Sequence, residues 1–338
     1  MSEEGKQKVM ESIESLPMQV EQVWDDFRTV TVPQSCFLAK NIVICGMGGS
    51  ALGGRIAKSL VGEEIRIPME VYTEYAIPAY VDENSLVIVS SYSGNTEETI
   101  GAFTEARERH ARIFVISTGG RIGEYAKAQA IPSYIFKPKY NPSGQPRNAL
   151  GYSISSVLAI LARCKFVDIT ISDVDDLRGE MNKFDETIGK EMAAKLKDRF
   201  AVLVASEHLV GVVHAFANML NETSKTFSVL YDIPELNHHL IEGLGYPKDL
   251  GKKSLFIVFE SGLYSARVKQ IYPVSESIFE KNGMVVEKYK VGSKSKLGQI
   301  FEVLMLGSWT SYYLAEEYGV NPVEIPAIAN FKEQMAKR

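Results

Sequence analysis

Apolar residues recur near the start of the chain at steps of mostly three or four: Val9, Ile13, Leu16, Val20, Val23, Trp24 and Phe27. That spacing lines one face of an α-helix. Pro17 interrupts the stripe, and Ser15 before it is a capping residue type, so the pattern reads as two short helices. The period then changes. Short β-branched runs at 42–45, 70–73, 86–90, 113–117 and 134–136 read as strands, with helical patterns at 51–61, 97–109 and 149–163. Strands alternating with helices imply βαβ units, a mostly parallel sheet and helices on both faces.

The alternation then starts again. Strands at 201–205, 227–231, 255–259 and 285–289 are interleaved with helices at 210–220, 266–281 and 296–318. The stretch 173–197 is charged with spaced apolar positions and reads as one solvated helix linking the halves. The boundary falls within 165–198, and the division predicted is 1–165 and 166–338. The fold class is α/β, with two subdomains of one architecture, each a parallel sheet flanked by helices.

A length of 338 residues suits two such units, each able to bury a core. Lys plus Arg total 37 against 42 Asp plus Glu, a net charge of −5. With no basic excess, neither nucleic acid nor a membrane surface is an expected partner. No apolar run approaches the roughly 18 residues of a membrane span, and 1–10 lacks a signal-peptide core. Cys36, Cys45 and Cys164 are odd in number and widely spaced, which frames neither disulfides nor a zinc site. The expectation is a cytoplasmic protein.

Two loops in the first half carry candidate chemistry. Strand 42–45 runs into Gly46-Met47-Gly48-Gly49-Ser50 and then a helix. Glycines let backbone N–H groups approach an anion, and a helix start adds partial positive charge. No Lys-Ser/Thr follows, so this is not a P-loop, and the dinucleotide fingerprint is matched poorly. Strand 86–90 runs into Ser91-Tyr92-Ser93-Gly94-Asn95-Thr96, again before a helix. Its three hydroxyls suit a phosphomonoester bound without Lys or Arg. Asn95 or Thr96 followed by Glu97 and Glu98 is also an ordinary helix cap, and the two uses are compatible.

This pair of loops resembles the sugar isomerase (SIS) domain. The resemblance implies a flavodoxin-like sheet whose Ser/Thr loops hold a sugar phosphate. The second half lacks such loops: at the comparable strand end it reads Glu260-Ser261-Gly262-Leu263-Tyr264-Ser265, with fewer hydroxyls and an added acid. One phosphate site per chain follows, built by the first half.

Three further segments bear reactive side chains. Pro146-Arg147-Asn148-Ala149-Leu150-Gly151 follows a loop rich in Asn, Pro, Ser and Gly, and its guanidinium is suited to a developing oxyanion. Asn218–Lys225 places Glu222 among polar neighbours at the end of an apolar helix. Pro234-Glu235-Leu236-Asn237-His238-His239 holds two of the five histidines, and without HxxxH or CxxC it is not a metal site.

In order and spacing these segments resemble the bifunctional phosphoglucose/phosphomannose isomerase family over nearly the whole chain, including Asn321-Pro322 and Phe331-Lys332 near its end. Family roles then imply that Ser50, Ser91, Ser93 and Thr96 bind phosphate beside Gly48 and Gly49. Arg147 would stabilise the intermediate, Glu222 move the C1/C2 proton, His238 open the sugar ring and Lys332 assist near the sugar. The motif match selects His238, and His239 stands beside it as the other imidazole. The resemblance implies a homodimer with His238 donated across the interface, a small sugar phosphate as ligand, and no cofactor or metal. Asn321, Phe331 and Asn148 depart from the Asp, Leu and Ala more usual in the family. Two rivals are a non-catalytic sugar-phosphate sensor and an isomerase of another sugar phosphate. The first lacks a DNA-binding segment here, and the second the Lys or glutaminase partner it calls for.

Overall fold

The computed structural model of the chain describes residues 3–335 and 337; Met1 and Ser2, at the head of the 1–10 stretch without a signal core, lie outside them. Two helices, α1 (Glu3–Glu14) and α2 (Leu16–Asp26), lead the chain. They meet at Ser15, as the pattern predicts, but the Ser15 side chain caps nothing. Its φ of −84° and ψ of 3° keep the backbone close to helical, so the second helix continues almost directly from the first. Pro17 fits the opening turn because a proline there sacrifices no intrahelical donor.

The first sheet is built from β1 (Asn41–Cys45), α3 (Gly49–Val61), β2 (Met69–Tyr72), β3 (Ser85–Ser91), α4 (Glu97–Glu108), β4 (Arg112–Ser117), α5 (Gly120–Ala128), β5 (Ser133–Ile135) and α6 (Leu150–Arg163). Its strands are all parallel in the order β2-β1-β3-β4-β5, with Ile42 opposite Leu86 and Ile88 opposite Phe114. Both faces of β3 are buried, which is why 86–90 reads as an unbroken apolar run and not an alternating one. Helix α5 carries too short an apolar stripe to be read from the sequence; Ile122, Gly123 and Ala126 are all it buries.

The link between the halves differs from the single helix expected over 173–197. It is two helices, α7 (Ile171–Met181) and α8 (Thr187–Leu196). The first stops at Met181, and Asp185 helps open the second: its Oδ1 accepts from the Thr187 N–H at 3.0 Å and hydroxyl at 2.7 Å.

The second sheet follows with β6 (Phe200–Ala205), α9 (Val210–Met219), β7 (Ser228–Asp232), α10 (Leu250–Lys253), β8 (Ser254–Ser261), α11 (Ala266–Lys281), β9 (Val286–Val291), α12 (Lys296–Tyr318) and α13 (Pro326–Met335). Its parallel order β7-β6-β8-β9 repeats the first four positions of the other sheet. β6 thus stands where β1 stands, and β8 where β3 stands. The fold class is the one expected.

One buried cluster runs through both halves, from α2 and α6 through α3 to α9, β8 and α12. A separate cluster around Val87, Val89, Phe103 and Val115 covers the other face of the first sheet. At the join, α3 packs on α9 almost backbone to backbone. A Cβ at Gly211 would overlap the Ser59 side chain and come within 2.6 Å of the Arg55 carbonyl oxygen. That close approach brings the end of α9, with Glu222, against the first half.

Candidate active site

The glycine loop leaves β1 and enters α3; the hydroxyl loop leaves the neighbouring β3 and enters α4. Parallel strands place both loops at the same sheet edge, beside two helix starts whose first-turn N–H groups have no partner inside the helix. Gly46 is forced by crowding, since a Cβ would lie 3.0 Å from the Ser90 carbonyl oxygen. Gly48 is forced by conformation, at φ +51°, and a Cβ there would meet no atom within 4 Å.

The two loops are locked together. The Tyr92 N–H donates to Ser50 Oγ at 2.9 Å. Ser91 Oγ, buried at the end of β3, accepts from the Gly94 N–H at 3.1 Å and donates to Thr96 Oγ1 at 3.3 Å. Ser93 is exposed, and its Oγ accepts from the Asn95 N–H at 3.3 Å. Thr96 is the residue before α4, but its side chain makes no cap hydrogen bond, so the hydroxyl is not spent on the helix. Gly48, Gly49, Ser50, Ser91, Ser93 and Thr96 therefore form one cradle of small polar groups.

A chain of hydrogen bonds leads from this cradle to the guanidinium. Tyr92 Oη accepts from Asn141 Nδ2 at 2.8 Å, and the same amide donates to the Gln145 carbonyl at 3.0 Å. Gln145 Oε1 in turn accepts from Arg147 Nη1 at 3.0 Å. Gln19 on α2 braces the loop from behind, donating to the carbonyls of Tyr140 and Asn148. Asn148 takes part through its side chain, which donates to Ser143 Oγ at 3.0 Å.

Arg147 is 4% exposed and joins three parts of the chain. Nη2 donates to the carbonyls of Pro322 at 2.6 Å and Val323 at 2.8 Å, while Nη1 lies 3.5 Å from Glu222 Oε2. Burial lowers the guanidinium's pKa from its usual value, and Glu222 opposes that by favouring the charged form. Among the described residues its buried Nε has no partner. Glu222 sits in a π-helical turn, Leu220–Ser224, that closes α9. Such a turn widens the helix by a residue and re-aims a side chain.

Lys225, in left-handed conformation just after that turn, ties the corner. Its Nζ donates to the carbonyls of Glu222 at 2.5 Å, Glu324 at 2.7 Å and Asn321 at 3.0 Å. Burial and then Arg147 lower its pKa, against Glu222 and Glu324. Asn321 supplies an acceptor where Asp is more usual: its Oδ1 takes the Val323 N–H at 2.9 Å and shapes the turn that presents the two carbonyls to Arg147.

Arg147 and Glu222 are thus brought together, and His238 and Lys332 are not brought to them. His238 is exposed and borders a cavity of about 390 Å³ with Asn237, Ile241, Arg267 and Ser275. His239 pairs with Glu235 at 2.7 Å and leans on the Tyr231 ring. Lys332 lies on α13, which buries none of its residues. Tyr92, Asn141, Gln145 and Lys225 are positioning residues that the sequence did not single out. Tyr92 and Lys225 stood inside quoted motifs, but nothing in their spacing reveals a long-range hydrogen bond. Among the described residues no group of three or more His, Cys, Asp or Glu is placed to hold a metal ion. No helix among them is long and apolar enough to cross a membrane.

Comparison with known proteins bears on both halves. Residues 185–335 match the bacterial phospho-glucose isomerase C-terminal SIS domain, and residues 37–130 match the SIS domain. A bifunctional phosphoglucose/phosphomannose isomerase of Thermoplasma volcanium is 31% identical over 87% of this chain and 91% of its own length. One from Aquifex aeolicus is 30% identical over 93% of this chain and 94% of its own length. Among solved structures, tagatose-6-phosphate ketose/aldose isomerase from Escherichia coli superposes with a TM-score of 0.71. It is 17% identical, covers 94% of each chain, and shares the fold.

Proposed function

The chain belongs to the bifunctional phosphoglucose/phosphomannose isomerase family, and we propose that the Arg147–Glu222 pair is where it performs its isomerisation. It is an aldose–ketose isomerase of phosphosugars. Its substrates in this reading are glucose 6-phosphate and mannose 6-phosphate, each interconverted with fructose 6-phosphate through a cis-enediol. The two aldoses differ only at C2, and removal of the C2 proton gives both the same planar intermediate. The single observation that carries the reading is the buried guanidinium 3.5 Å from a carboxylate at a helix end, joined by hydrogen bonds to a hydroxyl-lined cradle.

The phosphate rests among Ser50, Ser91, Ser93, Thr96 and the Gly48–Gly49 backbone, anchoring the sugar several bonds from the reacting carbons. The Glu222 carboxylate takes the proton from C2 of the open-chain aldose, and the C1 aldehyde oxygen becomes the enediolate oxygen. Negative charge passes from carboxylate to enediolate, and Arg147 stands beside both, so the guanidinium never loses an anionic partner. Glu222 returns the proton to C1 while the C2 hydroxyl proton moves to the oxygen on C1. The product is the ketose, with no net change in protons.

The subdomains of this reading are 1–165 and 166–338. The working unit is a homodimer, in which the partner subunit's His238 opens the sugar ring and Lys332 assists near it. Two observations support a second copy: His238 is exposed and away from its own Glu222, and α13 presents Ile328, Phe331 and Met335 uncovered.

The test is a coupled assay on fructose 6-phosphate with both aldose phosphates measured. Glu222→Gln keeps the size and one acceptor but removes the base, and kcat is expected to fall by about 10²–10⁴-fold with KM little changed. Near-normal turnover in that variant removes Glu222 as the base.

A further inference from the structure

Residues 321–324 turn four consecutive carbonyls toward two cations. Arg147 Nη2 takes the middle pair, Pro322 at 2.6 Å and Val323 at 2.8 Å. Lys225 Nζ takes the outer pair, Asn321 at 3.0 Å and Glu324 at 2.7 Å. Successive carbonyls of an extended chain point to opposite sides, so four converge only where the chain turns sharply. Asn321 makes that turn, its Oδ1 accepting from the Val323 N–H at 2.9 Å and the Glu324 N–H at 3.4 Å. Two like charges beside one carboxylate repel, and the four carbonyl dipoles offset that repulsion.

The clamp decides how the arginine meets the base. An arginine beside a lone carboxylate ordinarily closes on it as a fork, with two parallel N–H···O bonds of about 2.7–2.9 Å. Arg147 does not. Its Nη2 is taken by the two carbonyls, and its Nη1 is shared between Gln145 Oε1 at 3.0 Å and Glu222 Oε2 at 3.5 Å. A carboxylate gripped by a fork has its lone pairs occupied and is a poor base; one touched at 3.5 Å is not so gripped. The same Lys225 ammonium also holds the base's own backbone, accepting carbonyls being Glu222 at 2.5 Å and Thr223 at 3.4 Å.

We propose that Lys225 is a positioning residue for the proton transfer: through the 321–324 carbonyls it restrains Arg147 from forking onto Glu222, and so keeps Glu222 able to accept the C2 proton. The inference rests on reading Glu222 as that base.

Chemical rescue tests it. Lys225→Ala removes the ammonium, and alanine occupies φ +59° at the same backbone cost as lysine. In the coupled assay on fructose 6-phosphate, kcat is expected to fall by about 10–10²-fold, with KM little changed because the cradle is untouched. Propylammonium carries the three carbons and the nitrogen that alanine lacks, and is expected to restore kcat saturably. Lys225 is exposed, so the amine reaches its place from solvent. Tetramethylammonium at the same ionic strength has no N–H to donate and is expected to restore nothing. Lys225→Met, a second variant that keeps most of the chain's bulk, is expected to lose kcat alike and to ignore the amine. Native kcat in folded Lys225→Met, or a loss in Lys225→Ala that propylammonium leaves in place, overturns the proposal. Glu222→Gln measured alongside separates the two readings. Native turnover there overturns the base itself, whereas turnover lost there but kept in both lysine variants overturns the clamp alone.

Discussion

The two halves share strand order and helix placement, yet their strand ends are spent differently. In the first half Ser91 closes β3, and the loop beyond it keeps an exposed Ser93 and a Thr96 hydroxyl unused by its helix. In the second half Ser261 closes β8 in the same position, and where Ser91 Oγ is bonded within its own loop, Ser261 Oγ is also tied to α12. It donates to Gln299 Oε1 at 2.6 Å and accepts from the Leu263 N–H at 2.9 Å. Gln299 also meets His208 at 2.8 Å and the Ser293 carbonyl at 3.0 Å. One half leaves polar capacity facing outward, and the other turns it inward to hold the core. The same scaffold becomes a site or a strut according to which hydroxyls are left over.

After loss of the Glu222 carboxylate, the largest expected effect breaks the joint between the halves. Arg147→Lys keeps the charge but loses the fork that reaches Gln145, Pro322 and Val323 at once. We expect kcat to fall by about 10²–10³-fold, measured by the coupled assay. Full activity in the lysine variant would mean that charge alone suffices and the fork is dispensable. A paired experiment then sets the halves side by side. Ser91→Ala should raise KM for fructose 6-phosphate by about tenfold, the worth of one hydrogen bond near 1.4 kcal/mol. Ser261→Ala should leave KM unchanged and cost about 1–2 kcal/mol of stability, read from denaturant unfolding. A KM effect from Ser261→Ala would erase the distinction.

The smallest effect is acid sensitivity, and it belongs to the second half. Burial lowers the pKa of His208 and His214 below the ordinary 6.5. The unfolded chain then binds protons that the folded one refuses, so their contribution is neutral above that value and turns destabilising as pH falls through it. Tm should drop by a few degrees, on the order of 2–4 °C for each kcal/mol, between pH 7 and 5. His208→Gln should flatten that fall, since glutamine has no proton to take up.

The division of labour was partly legible in the chain. Buried parallel strands write themselves as β-branched runs, so both sheets could be read from apolar pattern. Helix α5 could not, because a nine-residue helix with three core positions leaves almost no periodicity. Nor could the separate start of α8, which Asp185 helps open through Thr187 and not through hydrophobicity. The hydroxyl cradle stood in two contiguous motifs and was visible at once. The bond from the Ser265 N–H to the Glu207 carboxylate was invisible for the opposite reason: it depends on a positive φ and a partner 58 positions away, neither of which leaves a local mark.

The carbonyl that Arg147 binds at Pro322 lies 175 positions downstream. A ribosome therefore delivers the complete first sheet, its cradle and its arginine long before the groups that orient that arginine. Until residues 321–324 have emerged, the guanidinium lacks two of its acceptors and Lys225 its far anchor. A nascent chain can thus fold the first sheet and its two loops while the Arg147 corner still lacks acceptors that complete it.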